Sequence, residues 1–173
     1  AIPSVSADAA HAGDIEAAAA WVAEKIRRAG GTVELVPGST GRPLVIGEIA
    51  ASQRPESAPT VLCYAHFDVQ PPDPLDLWES PPFELTHRDG RLWARGVADD
   101  KGNLFAIMEA AELLVAEGFK PRQTVYLAFG HDEEIGGHRG DCRIGVGDDD
   151  EVVRIAVTGV SLARAVRSGL QVV

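Results

Sequence analysis

Positive charge is scarce in this sequence. Its 16 Lys and Arg stand against 26 Asp and Glu, leaving a net charge of −10. Phosphate binding needs clustered Lys and Arg, so a nucleic-acid partner is not expected. Cysteine is scarcer: Cys63 and Cys142 are the whole supply, and their separation suits neither a zinc knuckle nor a redox pair. Cys63 falls inside an apolar run and reads as a buried thiol. No apolar run approaches the ~20 residues of a membrane span, so no membrane partner is expected. The amino end joins no basic region to an apolar core and cleavage site. The expectation is therefore no secretory signal and a cytoplasmic compartment. Internal repeats are lacking too.

What is present is a globular composition, 45% hydrophobic and 24% charged, in a chain of one-domain length. The segment GDIEAAAAWVAEKIRRAGG places Ile15, Ala18, Ala19, Val22, Ile26 and Ala29 on one helical stripe, with Asp14 as the expected cap and Gly30–Gly31 as the stop. Strand-like runs follow in TVELV, PLVIGEIA and TVLCYAHFDV. FELTHRDGRLWARG reads as a β-hairpin turning at Asp89–Gly90. A second helix carries Leu104, Ile107, Met108, Ala111, Leu114 and Val115 on one stripe and stops at Gly118. QTVYLAFG then suits a central strand covered on both faces. Helices alternating with such strands predict an α/β fold with a mixed sheet. Beyond residue 140, VVRIAV is read as a further strand of that sheet and SLARAV as a short helix.

Three clusters of acidic and histidine residues each follow an apolar run: His66 with Asp68, Asp99 with Asp100, and Glu133 with Glu134 beside Asp132. In an open α/β sheet, ligands gather beyond the carboxyl ends of the strands, where such loops meet. Residues two apart on an extended chain point to the same side. Asp68 can therefore take the second ring N–H of His66 and fix its tautomer. Glu133 and Glu134, being adjacent, diverge, so one can reach a metal while the other faces a bound water. One histidine with several carboxylates suits Zn, Mn or Co. Taken singly, each cluster reads as a strand end, a helix start or a solvated loop; together they favour a metal site.

HFDVQP, WESPPF, RDGRLWARGVADDKG and HDEEIGG, in that order, resemble the motifs of the M20 family of metallopeptidases and amidohydrolases. The resemblance runs from IPSVS at Ile2 to about Gly140. HFDVQPPDPLDLWESPPFE is similar to the dipeptidase branch that includes carnosinase-like enzymes, and LAFGHDEE to the carboxypeptidase S and aminoacylase branch. It implies a zinc-peptidase-like, three-layer catalytic domain with a mixed, mostly parallel sheet, here partial and without the family's lid or dimerisation domain. The oligomeric state is left open. The implied metal ligands are His66, Asp99 and Glu134, with Asp99 bridging two ions across a cis Asp99–Asp100 peptide. Asp68 would orient His66, and Glu133 would be the general base for water attacking an amide bond. The implied substrate is a dipeptide or an N-acyl amino acid.

The chain also departs from the family pattern. Two further donors, a carboxylate and a histidine, are expected downstream, yet no histidine follows His138. His131 and His138 are candidate substitutes, with a solvated loop histidine the favoured alternative for each. The acidic run GDDDE lacks the spaced ligands of a calcium loop and reads as a solvated turn. The sequence is therefore expected to be an amino-terminal fragment: residues 1–140 form a partial catalytic domain and residues 141–173 a tail that does not match. An incomplete, inactive fragment holding at most one metal is the alternative to an active hydrolase.

Overall fold

The apolar stripes and runs resolve into a mixed sheet carrying two helices on one face. The computed structural model describes residues 1–37, 41–136, 140–145, 152–158, 161–162 and 171–172. Helix α1, Ala12–Arg28, buries the whole expected stripe from Ile15 to Ile26. Its start differs from expectation. A 3-10 turn at Ala9–His11, capped by the Asp8 side chain, leads into the helix two residues ahead of Asp14. Asp14 instead sits in the first turn, 2.7 Å from His11 Nδ1. Gly30, at φ +78°, supplies the left-handed residue that ends the helix.

Strands β1 (Thr32–Pro37), β2 (Pro43–Ile49) and β3 (Thr60–His66) follow. The hairpin forms as read, with β4 (Thr86–Arg88) and β5 (Arg91–Trp93) joined through Asp89 and Gly90 at φ 53° and 71°. Helix α2, Lys101–Ala116, buries Leu104 and Met108 and half-buries Ile107 and Ala111. The expected stripe runs further than the burial does, since Leu114 and Val115 are exposed. Strand β6 is Thr124–Gly130. Lys25 ties the two helices by bonding Glu109 and Glu112, and Arg28 reaches Glu112 at 2.9 Å.

The later strands are β7 (Gly140–Gly145), β8 (Val152–Thr158), β9 (Ser161–Leu162) and β10 (Gln171–Val172). The main sheet has the order β1-β2-β6-β3-β10. β1 with β2 and β2 with β6 are antiparallel; β6 with β3 and β3 with β10 are parallel. The sheet is mixed as expected, but its pairings divide evenly rather than being mostly parallel. The antiparallel half comes from β2, which runs against both β1 and β6. VVRIAV is a strand, β8, yet it pairs with β7 and β9 in a separate antiparallel sheet. Of SLARAV, Ser161 and Leu162 pair with β8 as β9, and residues 163–166, which carry the rest of the expected helix, lie outside the described residues.

The core lies between the helices and one sheet face, where Val45, Ile49, Ala65, Leu127 and Phe129 meet α1 and α2. Ile46, Leu62, Tyr126 and Ala128, on the other face, are buried as well, as the continuous apolar run of β6 requires. Among the described residues both long helices lie on one sheet face. No helix among the described residues is long and apolar enough to cross a membrane.

Gly47 marks the tightest helix–sheet approach: a Cβ there would lie 2.8 Å from Ile26 Cδ1 and 2.9 Å from its Cγ2. Ile26 is fully buried in the core. Gly47→Ala is expected to cost about 1–3 kcal/mol by overpacking, read as a lower melting temperature. An unchanged melting temperature would contradict this packing.

Candidate metal centre

The site forms where two parallel strands stop together. β3 and β6 pair with His66 opposite Gly130, so HFD and HDEE leave the sheet at one edge. The Phe67 N–H bonds the Gly130 carbonyl at 2.9 Å and carries the pairing one step further. Phe67 is buried beneath, and His66 and Asp68 share the other side, as the two-residue period predicts. The third cluster arrives at the start of α2, where the Asp99–Asp100 peptide is cis. That turn depends on Gly102, because a Cβ there would lie 2.0 Å from the Val97 carbonyl oxygen.

His66 Nε2 lies 3.0 Å from Asp99 Oδ1 and 3.7 Å from Glu133 Oε2. One donor atom each from His66, Asp99 and Glu134 falls within 4.8 Å of the other two. These are the three residues expected as ligands. One imidazole with two carboxylates at that separation fits a divalent cation. Glu133 faces the same space from beside the group, with its side chain one-third exposed.

Beneath these donors sits Asp68, fully buried. Its Oδ1 meets His66 Nδ1 at 3.2 Å, and its Oδ2 accepts the Glu134 N–H at 3.1 Å. Burial alone would raise the Asp68 carboxyl. The bond to His66, the facing Ser6 hydroxyl, the Glu134 N–H and the charge on His66 outweigh it and hold the group below the usual carboxylate range. Burial alone would lower the His66 imidazole. The bond and charge of Asp68, then the charges of Asp100 and Glu133, lift it to about 9 instead. Glu133 is raised, first by burial, against the opposing charge of His66 and with that of Glu134, Asp68 and Asp99.

Several contributors carried no sequence assignment. Asp100 accepts the His66 N–H at 3.2 Å and an Asn103 side-chain N–H at 2.6 Å, so it shapes the turn behind Asp99. Gln70 donates to the Glu134 carbonyl at 2.8 Å. Tyr64 stands two residues before His66 on the same strand face, a placement that strand period alone could have given. Burial pushes its phenol up, and the charges of Glu133, Asp68, Asp132 and Asp100 add to the rise. His131 is not the solvated loop histidine favoured above: it is fully buried, with its ring 6.3 Å from that of Phe67. It is not in the converging donor group. His138 and GDDDE lie outside the described residues.

The His66 shift fixes a pH dependence for the metal-free chain. Its folded pKa of about 9 lies above the ordinary 6.5, so its stabilisation is full below pH 6.5 and lost as pH rises through 9. Lys101, lowered by burial to about 8, acts with the opposite sign above that pH. Between pH 6.5 and 8 the loss from His66 therefore outweighs the opposing contribution of Lys101, which sets in toward pH 8. The melting temperature is expected to fall across that interval, and His66→Gln to remove that slope. An equal slope in the variant would contradict the pairing.

Comparison with known proteins places these residues among relatives. A probable carboxypeptidase S-like protein of Dictyostelium discoideum is 48% identical over 85 residues, 49% of this chain. The N-fatty-acyl-amino acid synthase/hydrolase PM20D1 of Xenopus tropicalis is 42% identical over 108 residues, 62% of this chain. The chain spans 16% and 20% of those two proteins. The crystal structure of human carnosine dipeptidase 1 superposes with a TM-score of 0.71 at 28% identity, over 78% of this chain and 30% of that one. Both branches suggested by the motifs are thus represented. Residues 62–158 match the model of Peptidase family M20/M25/M40, and the chain belongs to that family.

Proposed function

We propose that this chain carries part of the metal site of a hydrolase that cleaves amide bonds in dipeptides or N-acyl amino acids. The supporting observation is the convergence of His66, Asp99 and Glu134 within 4.8 Å, with Glu133 facing the same space. In this reading His66 Nε2, Asp99 and Glu134 hold a divalent ion, with Zn the first choice and Mn or Co also suited. When bound, such an ion acidifies water and polarises an amide carbonyl.

The chain's own residues supply the rest. Asp68 accepts a hydrogen bond from the Nδ1–H of His66, which fixes the tautomer and would leave the Nε2 lone pair free to hold an ion. Glu133 takes a proton from the attacking water and returns it to the leaving amine. A raised carboxyl suits both halves of that exchange, since a base of higher pKa accepts more readily near neutral pH. The names of the relatives, which include an N-fatty-acyl-amino acid synthase/hydrolase and a carnosine dipeptidase, support both substrate classes.

A second reading is favoured by the donor count. Three donors converge among the described residues, which suits one ion loosely held and no turnover. Metal analysis after dialysis, paired with hydrolysis assays on a dipeptide and an N-acyl amino acid, separates the two. Two retained ions per chain with turnover support the hydrolase; one weak ion without turnover supports the alternative. In an active preparation, Glu133→Gln is expected to lower turnover at least ~100-fold with metal content unchanged. Turnover near the parent level would remove Glu133 from the role of base.

A further inference from the structure

The segment Ile2–Ser6 runs beside the candidate metal centre, half-buried at Ile2 and Pro3 and buried from Ser4 to Ser6, although none of its residues is a ligand candidate. Ser4 is fully buried, Val5 is 2% exposed and Ser6 is 6% exposed. Ser4 Oγ donates to the Phe67 carbonyl at 2.5 Å, and the Ser4 carbonyl accepts the Val69 N–H at 3.0 Å. A parallel bridge joins Val5 to Val69. The two hydrogen bonds fall on either side of Asp68, so the segment fixes the backbone that carries this carboxylate.

Its other end is tied to the second ligand-bearing turn. Lys101, directly after Asp99–Asp100, donates from Nζ to the Ile2 carbonyl at 2.5 Å. The Lys101 stem passes Gly96, where a Cβ would lie 3.3 Å from Lys101 Cδ and 2.8 Å from Val69 Cγ1. Its ammonium is within electrostatic reach of Asp68. Ser6 completes the enclosure. Its buried hydroxyl faces the same carboxylate without a well-formed hydrogen bond, and its carbonyl accepts from Arg42 at 3.4 Å.

We infer that Ile2–Ser6 and Lys101 form a brace that positions Asp68, making Lys101 and Ser6 positioning residues for the metal centre. Neither belongs to the converging donor group. Asp68 transmits their effect, because its two oxygens are committed to His66 Nδ1 and the Glu134 N–H, and His66 and Glu134 supply two of the three converging donors. A buried charge keeps one orientation only while the groups around it are fixed. Loss of either brace residue therefore loosens both donors at once. The inference rests on the metal-site reading above.

The test uses the full chain with Lys101→Met and Ser6→Ala, two measurements and a melting curve as the folding control. The first is the proton resonance of the His66 Nδ1–H in the metal-free chain, which reports its bond to Asp68. The second is the affinity and visible spectrum of bound Co2+. Both variants are expected to move the His66 resonance and to weaken Co2+ binding by about 10- to 100-fold with an altered band. A resonance and affinity equal to the parent's in folded variants would overturn the inference. Ser6→Ala decides alone if Lys101→Met does not fold, since it deletes a single oxygen. A parent chain that binds no Co2+ sinks the metal reading, while the His66 resonance still decides whether the brace positions Asp68.

Discussion

A carboxylate taken out of water loses several kcal/mol of hydration unless donors and counter-charges replace it. Asp68 is fully buried, and its surroundings are arranged to meet that demand. His66 answers one oxygen, the Glu134 N–H answers the other, and Ser6 and Lys101 close the remaining sides. These donors come from distant parts of the chain: the amino-terminal segment, the end of β3, the start of α2 and the turn after β6. One desolvated charge thus dictates how four loops meet. The converging donors sit above it as a consequence.

The sheet delivers these loops to one place. Parallel pairing of β3 with β6 in the His66–Gly130 register puts both exits at the same edge, and a slip of one residue would turn His66 to the helix side. α2 packs on β3 through Leu104 and Met108, which sets where Asp99 arrives. α1 fixes the other side of the core through Ile26 and is tied to α2 by Lys25. The packing that makes the core therefore also determines the separation of His66, Asp99 and Glu134.

Periodicity made much of this legible. The stripe of α1, the strands β1, β2, β3 and β6 and the Asp89–Gly90 hairpin follow from apolar spacing and turn chemistry. HFD, DD and DEE were legible as a joint site because each follows an apolar run. Asp68's link to the Glu134 N–H was not legible, since a backbone donor leaves no mark in side-chain pattern. Tyr64 was within reach of the two-residue strand period, whereas Lys101 looked like an ordinary residue of a helix start. His131 misled because a histidine beside three acids resembles a solvated loop, yet it packs under the site against Phe67. Beyond residue 140 local pattern failed more often. VVRIAV is a strand by composition, but its partner is decided by long-range pairing that spacing cannot show.

The proposed cation site is built from one imidazole and carboxylates, with no cysteine. Zinc-edge X-ray absorption of the zinc-loaded chain tests it most directly. Nitrogen and oxygen neighbours at about 2.0–2.2 Å are expected, with the outer scattering of a single imidazole. Sulfur at about 2.3 Å, or the scattering of two or more imidazoles, would contradict the proposed site.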